Sequence, residues 1–397
     1  MLETQFNPQP PPEVDKLARN QAAVSRFDPI SGAWTVFAPS REQRPDQFRL
    51  TRNETSPTQV DCPFCSGRES NTPNAVWVGM AADDQARSLN GHSTTKQPDC
   101  SLAGFKCFDD PTILADLPND RWSVRVVPNK FPAISTDPTP SQHQGRSPLF
   151  IEQPIHGGHE VIIESPHHYQ SLVELDAADA ALVFAAYRDR LKHWSSIDEI
   201  QYISLFKNCG GDAGASLAHT HSQLIASSVM PKQVQSVVDR AKQYRAKTGC
   251  CLQCDLLRAE LKENSRIIAK SDSLVAYCPF ASRMPMSVRI TTINHQDRFE
   301  ALSDEMIESI ARLAKRVATW IEHVRPGSSY NYLLHSKPPG ATDSSDSFHW
   351  SLEIFPRLTR IAGFELSSDC MINPIMPESA AAEFRGRAAA ENPRNVL

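Results

Sequence analysis

The chain lacks a basic excess: its 41 lysines and arginines are outnumbered by 46 aspartates and glutamates, giving a formal net charge of -5. That balance excludes a molecule-wide basic face of the kind that tracks a nucleic-acid backbone, so no nucleic-acid partner is expected and any bound phosphate has to be met locally. It also lacks an uninterrupted apolar run near the roughly 20 residues that a membrane span requires, and no membrane partner is expected. The opening residues, Met1 to Asn20, are polar and proline-rich rather than basic and then apolar. They do not have the pattern of a secretory signal, which points to the cytoplasm. In that compartment ten cysteines read as reduced thiols and metal ligands rather than a disulfide framework. At 397 residues the chain has room for two or three domains, which argues against a single small binding module.

The arm 1–20 reads as disordered, and two polar stretches, about Ala81 to Asp99 and Ser135 to Ser147, read as long surface loops. Between them Trp34–Ala38, Trp122–Val127 and Glu160–Glu164 have the β-branched and aromatic content of strands and suggest an antiparallel sheet. Two amphipathic helices are predicted. Asp176–Trp194 puts Leu182, Val183, Ala186, Tyr187 and Leu191 on one stripe, and Asp304–Val324 does the same with Met306, Ile307, Ile310, Leu313, Val317 and Ile321.

These helices occupy matching places in an internal repeat. In the first half Cys62-Pro-Phe-Cys65 is followed by a strand ending at His168, the first helix, a strand Tyr202–Phe206 and His219. In the second half Cys251-Leu-Gln-Cys254 is followed by a strand ending at His295, the second helix, a strand Tyr330–Leu334 and His349. The spacing predicts two copies of one α+β unit, residues 21–230 and 231–397, with sheets able to join. A lone Cys-x-x-Cys is a moderate signal, but here each pair travels with two histidines at matching distances. That gives two Cys2His2 sets for tetrahedral zinc: Cys62, Cys65, His168 and His219, and Cys251, Cys254, His295 and His349. Four protein ligands leave no open position, so both ions would be structural.

The segment Phe206-Lys-Asn-Cys-Gly-Gly-Asp-Ala-Gly-Ala-Ser-Leu-Ala-His-Thr-His-Ser-Gln223 carries the chemistry. Gly210, Gly211 and Gly214 let backbone amides approach an anion closely. If His219 turns inward to a metal, His221 lies one pleat further along a strand on the same side. An imidazole held by a hydrogen bond at one nitrogen offers the other as a neutral nucleophile suited to phosphorus. Gln223 can donate an amide hydrogen to a phosphoryl oxygen, and Ser216 a hydroxyl.

The Cys-x-x-Cys, Phe-x-Asn-x-Gly-x-x-Ala-Gly-x-Ser and His-x-His-x-Gln elements resemble those of the galactose-1-phosphate uridylyltransferase family of the histidine-triad superfamily, over about Arg26 to Arg387. The resemblance implies that His219 binds zinc and that His221 is the nucleophile. It implies a ping-pong route in which His221 takes a nucleoside monophosphate from a nucleotide sugar and passes it to a second phosphorylated acceptor. It further implies nucleotide or phosphate contacts at Asn129 and Asn208, sugar-phosphate contacts at Arg41 and Arg44 from a dimer partner, and a homodimer.

The sequence departs from the family in specific places. Thr220 and Ser222 stand in what is usually His-Pro-His-Gly-Gln, and Lys207 stands where a glutamate precedes the loop asparagine. In the second half His349-Trp-Ser leaves Ser351 at the nucleophile position, so that half is expected to be a noncatalytic copy. The tail 362–374 lacks the lysine that grips hexose phosphate. These departures look more like the subgroup containing ADP-glucose phosphorylase. The leading expectation is a zinc-containing UDP-glucose:hexose-1-phosphate uridylyltransferase of galactose metabolism. The alternatives are adenylyl transfer from a nucleotide sugar to phosphate, and a nonenzymatic zinc-dependent binding protein.

Overall fold

The structure, a computed structural model, describes residues 22–43, 62–81, 102, 104–117, 121–136, 149–341 and 346–391. The expected opening arm and most of the two expected surface loops fall outside them. The first part of the chain supplies strands β1 (Val24–Phe27), β2 (Trp34–Phe37), β3 (Trp77–Ala81), β4 (Phe105–Phe108), β5 (Val124–Pro128) and β6 (Gly157–Ile163). Helix α1 (Ala177–Ser195) then leads to β7 (Tyr202–Cys209) and β8 (His221–Ser227). The second part begins with a helix at Lys232–Thr248, followed by α2 (Leu252–Glu263), β9 (Ile267–Lys270), β10 (Leu274–Tyr277) and β11 (Val288–Thr292). It continues with α3 (Asp304–Val324), β12 (Tyr330–His335), β13 (Ser351–Pro356), β14 (Met371–Asn373) and α4 (Pro377–Glu391).

Eleven of these strands form one sheet in the order β4-β3-β5-β6-β8-β7-β12-β13-β11-β10-β9. The order reads outward from its middle as two copies, β7-β8-β6 and β12-β13-β11, as the repeat predicts. The copies meet where β7 pairs antiparallel with β12, Cys209 opposite Tyr330 and Leu205 opposite Leu334. The sheets therefore join into an α+β fold with a largely antiparallel strand arrangement.

Helix α1 starts where the Asp176 carboxylate accepts the backbone N–H of Asp179 at 2.7 Å, and α3 where Ser303 caps Met306. Both lie within one residue of the predicted bounds. The two helices pack on each other and, with the sheet, share one buried apolar cluster that runs from Trp77 to Phe384. Helix α1 is buried more widely than one stripe: Ala180, Ala181, Phe184 and Ala185 are enclosed as well, because α3 covers the face that would otherwise meet water. Met306 and Leu313 of α3 are only partly buried at the edge of that cluster.

Residues 22–43 fold away from the large sheet. β1 and β2 form a hairpin, and β2 pairs in parallel with β14 near the C-terminal end. Arg26 reaches Glu378 of α4 at 3.0 Å, and the Thr35 hydroxyl donates to the carbonyl of Ala281. No helix among the described residues is long and apolar enough to cross a membrane.

Ile310 has no exposure and sits in the cluster that both copies share. Ile310→Ala is expected to lower the unfolding free energy by about 3 kcal/mol. In urea, tryptophan fluorescence and far-ultraviolet circular dichroism should still change together, and two separated transitions would mean that the halves unfold independently.

Candidate active site

The turn Cys62–Cys65 approaches the chain where the segment after β6 and the segment before β8 run side by side. The Cys62 sulfur is 3.5 Å from Nδ1 of His219, and the Cys65 sulfur is 3.3 Å from Nδ1 of His168 and 3.6 Å from Nδ1 of His219. The four ligand atoms all lie within 4.8 Å of one another. Burial and then the neighbouring Cys62 push the Cys65 thiol up to about 11, so this thiol resists ionising unless a cation joins it. Burial lowers His219 to about 4, leaving a neutral ring. Its Nε2 is 2.8 Å from the carbonyl oxygen of Ser165 and therefore carries the proton, which leaves Nδ1 bare toward the thiols. Two thiols and two imidazoles converging in this way fit a tetrahedral zinc ion. His168 lies in a turn after β6, which ends at Ile163, and His219 directly precedes β8, which starts at His221. Both positions differ from the expected strand placements.

In the second copy Cys251, Cys254 and His295 form the mutually close set. His349 reaches Cys254, Nδ1 to sulfur 3.4 Å, but falls outside that set. Its Nε2 is 2.9 Å from the Thr292 hydroxyl, the counterpart of the His219–Ser165 contact. Here the thiols begin a helix rather than share a free turn: Cys251 is the N-cap of α2 and Cys254 lies in its first turn. The Cys251 thiol donates to the carbonyl oxygen of Ser347 at 3.3 Å, and the neighbouring Cys254 draws the Cys251 thiol below its usual range.

His221 is the first residue of β8 and is buried. Its Nδ1 is 2.7 Å from the carbonyl oxygen of His219, so the proton sits on Nδ1 and the lone pair on Nε2. Burial lowers its pKa, and the neutral ring is the form that can act as a nucleophile. Phe64, inside the Cys62–Cys65 turn, sets its ring edge against both His219 and His221, with centroids 5.9 and 5.3 Å away. The two histidines thus share a side although His219 lies outside the strand.

Gln223, two residues further along β8, has its Oε1 2.8 Å from Nε2 of His159 on the neighbouring β6. The His159 Nδ1 accepts the backbone N–H of Ala133, so Nε2 is the donor and the Gln223 amide is left with its NH2 to offer. Asn129, directly after β5, holds its own loop by accepting the N–H of Phe131, and its Nδ2 lies 3.2 Å from His159. His159 therefore touches two predicted residues and is itself one that motif reading misses, since it belongs to neither the Cys/His repeat nor the glycine-rich segment.

Between β7 and β8 the chain turns at Gly210 (φ 85°) and Gly214 (φ 91°), conformations that L side chains rarely adopt. A Cβ on Gly210 would come within 2.3 Å of the Ser329 hydroxyl. Asn331, on β12 of the second copy, donates from Nδ2 to Oδ1 of Asn208 at 2.8 Å and to the carbonyl of Ala213 at 2.9 Å. The second copy thereby holds the glycine loop of the first, a role that no local motif announces. Ser216 lies exposed on the loop. Arg41 is exposed in the turn after β2, which belongs to the small sheet with β14, and Arg44 lies outside the described residues.

Residues 93–231 match the family model described as galactose-1-phosphate uridyl transferase, N-terminal domain. The chain is 31% identical over 369 residues to an ADP-glucose phosphorylase from Arabidopsis thaliana, covering 92% of this chain and 93% of that protein. It is 23% identical over 367 residues to a galactose-1-phosphate uridylyltransferase from Thermotoga maritima, covering 91% and 97%. A crystal structure of an ADP-glucose phosphorylase from Arabidopsis thaliana with bound ADP-glucose superposes with a TM-score of 0.69 at 29% identity, covering 92% of this chain and 99% of that one.

Metal analysis of the purified protein tests the two Cys/His sets. Cys65→Ser should remove one equivalent of zinc and lower Tm, and Cys254→Ser should remove a different equivalent. An unchanged zinc content in Cys65→Ser would sink the assignment of the first set.

Proposed function

We propose that this chain, which belongs to the galactose-1-phosphate uridylyltransferase family and is a nucleotidyltransferase, transfers an adenylyl group from a nucleoside-diphosphate sugar to inorganic phosphate through His221. The observation that carries the reading is the state of His221: buried, neutral, with its Nδ1 proton committed to the His219 carbonyl and its Nε2 lone pair available. Similarity over nearly the whole chain to an ADP-glucose phosphorylase, together with Lys207, Thr220 and Ser222 at the departing positions, puts the adenylyl reading ahead of the uridylyl one. Uridylyl transfer to a hexose 1-phosphate is the second reading, supported by the match of residues 93–231 and by the uridylyltransferase relatives.

In either reading Nε2 attacks the α-phosphorus, the bond from that phosphorus to the bridging oxygen breaks, and sugar 1-phosphate leaves. The ring then carries the nucleotidyl group and a positive charge, which is stabilised because Nδ1–H donates its hydrogen bond to the His219 carbonyl oxygen. The acceptor phosphate attacks the same phosphorus and restores neutral His221. The Gln223 amide, the Ser216 hydroxyl and the backbone amides around Gly214 would meet the phosphoryl oxygens. Asn129 and Asn208 would position the nucleotide or its phosphates. Arg41 and Arg44 would meet sugar phosphate across a homodimer. Zinc would be held by Cys62, Cys65, His168 and His219, and in the second copy by Cys251, Cys254 and His295 with His349 alongside. A zinc ion closed by four protein ligands supplies rigidity rather than an open coordination position. In this scheme residues 21–230 form the catalytic unit and 231–397 the noncatalytic copy.

The test is intact mass after incubation with ADP-glucose or UDP-glucose separately, without acceptor, for the wild type and His221→Ala. An adenylyl increase that is absent in His221→Ala and discharged by phosphate is the expected result. A uridylyl increase alone would move the second reading ahead, and no adduct on zinc-loaded protein would end the transferase reading for this site.

A further inference from the structure

The three departures of the catalytic segment meet at one place. Thr220 and Ser222 alternate with His221 on the chain and face away from its site. There they flank the carboxylate of Glu164, which directly follows β6 and has no exposure. Lys207, on β7, is buried to the same degree, and its Nζ has three N–H groups and three acceptors: Glu164 Oε2 at 2.5 Å, the Thr220 hydroxyl at 2.8 Å and the backbone carbonyl of His221 at 3.1 Å. The Thr220 hydroxyl donates to Glu164 Oε2 at 2.6 Å, while Tyr187 of α1 and Ser222 donate to Oε1. Burial opposes a charged Glu164, but Lys207 and these hydroxyls outweigh it and hold the carboxyl below its usual range.

The second copy provides an internal control. Ser351 opens β13 as His221 opens β8, and it follows His349 by the same two residues. The neighbours that correspond to Thr220 and Ser222 are then Trp350 and Leu352, and Leu334 stands opposite Leu352 on β12. All three are buried. At the level of Glu164 stand Thr291, whose hydroxyl donates to the Trp350 carbonyl at 2.7 Å, and Thr292, whose hydroxyl meets His349, so uncharged packing meets the structural need here. Replacing a buried ion pair by apolar side chains is often neutral or stabilising. The charged set is found behind the histidine and not behind the serine.

We infer that Glu164 and Lys207, acting with Thr220 and Ser222, are positioning residues that fix the backbone of His221 and hence the direction of its Nε2. The inference rests on His221 being the nucleophile. Glu164 ties down the residue on either side of His221, and Lys207 holds the carbonyl of His221 itself. That leaves the strand little freedom to tilt at the reacting ring. The Nδ1 proton is held by the carbonyl of His219, one residue before Thr220, so a shift at Thr220 would reach both ends of the imidazole.

The test measures the rate of nucleotidyl-enzyme formation at saturating and limiting ADP-glucose by quenched intact mass, with Tm and zinc content as controls. In the paired variant Glu164→Gln with Lys207→Met the saturating rate should fall about 10- to 100-fold, as it does when support behind a site is lost. Half-saturation and zinc content should stay near those of the wild type. Thr220→Val, which keeps the volume and loses the hydroxyl, should also slow the reaction, and Thr220→Ser should restore it. If Thr220→Val and the paired variant fold and react at the wild-type rate, or change only half-saturation, the network serves packing alone and the inference is overturned. Should the paired variant fail to fold, the contrast between Thr220→Val and Thr220→Ser decides. An absence of adduct in the wild type would instead overturn the assignment of His221, a distinct failure read in the same experiment.

Discussion

Strand β8 lies between β6 and β7 in the sheet, so its pleat has to send alternate side chains to opposite faces. His221 and Gln223 go to one face, where Phe64 and His159 meet them. Ser222 and Leu224 go to the other, toward α1 and the shared core. Thr220, just before the strand, follows the same alternation and reaches Glu164. A slip of one residue in register would exchange the two faces, turning the imidazole toward the tyrosines of the core and the serine toward the site. Seven paired positions with β6, from Gly157 opposite Ser227 to Ile163 opposite His221, hold the strand against that slip.

The two copies keep the same frame and differ in what fills it. At the position of Gln223 the second copy has Glu353, whose Oε1 accepts the Ser287 hydroxyl at 2.7 Å, much as Gln223 Oε1 accepts from His159. Glu353 also pairs with Arg289 at 3.3 Å; burial works to raise that carboxyl, but Arg289, His335 and Ser287 outweigh it and keep it below its usual range. A carboxylate facing the place of a phosphoryl group repels it, and an arginine already neutralised by that carboxylate is poorly free to bind it. The second copy carries that ion pair at this position, and it contacts the first copy through Asn331, which braces the glycine loop across the β7–β12 seam.

Local patterns made much of this legible. The repeat of Cys-x-x-Cys, helix, strand and histidine fixed the α+β class and the two helices because each rests on residues close in sequence, with caps such as Asp176 and Ser303 marking the starts. The gathering of Cys62, Cys65, His168 and His219 followed from the same repeat. What sequence did not reveal is nonlocal. Nothing in Tyr202–Cys209 names Tyr330–His335 as its neighbour, so the role of Asn331 was hidden. The hairpin at residues 22–37 pairs with residues 371–373 at the far end of the chain, which puts Arg41 beside the small sheet. Lys207, Thr220 and Ser222 were seen as three separate departures, because Glu164, which unites them, comes to them from another strand segment.

His221 is thereby constrained from three directions, and no one of them suffices. The carbonyl of His219 selects which nitrogen keeps its proton but leaves the ring free to rock about that bond. Phe64 limits the rocking, yet it is only as fixed as the Cys62–Cys65 turn that carries it. A bound cation would tighten that turn and His219 together, which couples the front of the ring to its proton acceptor. Behind the strand, the backbone on which all these directions are measured is held by Lys207 and Glu164. In the proposed reaction, attack on phosphorus requires a lone pair aimed within a narrow cone, so rigidity has to be supplied at the ring, at its partner and at the backbone at once. The side chains that supply it come from both faces of one sheet, an arrangement open to a buried strand and not to a surface loop.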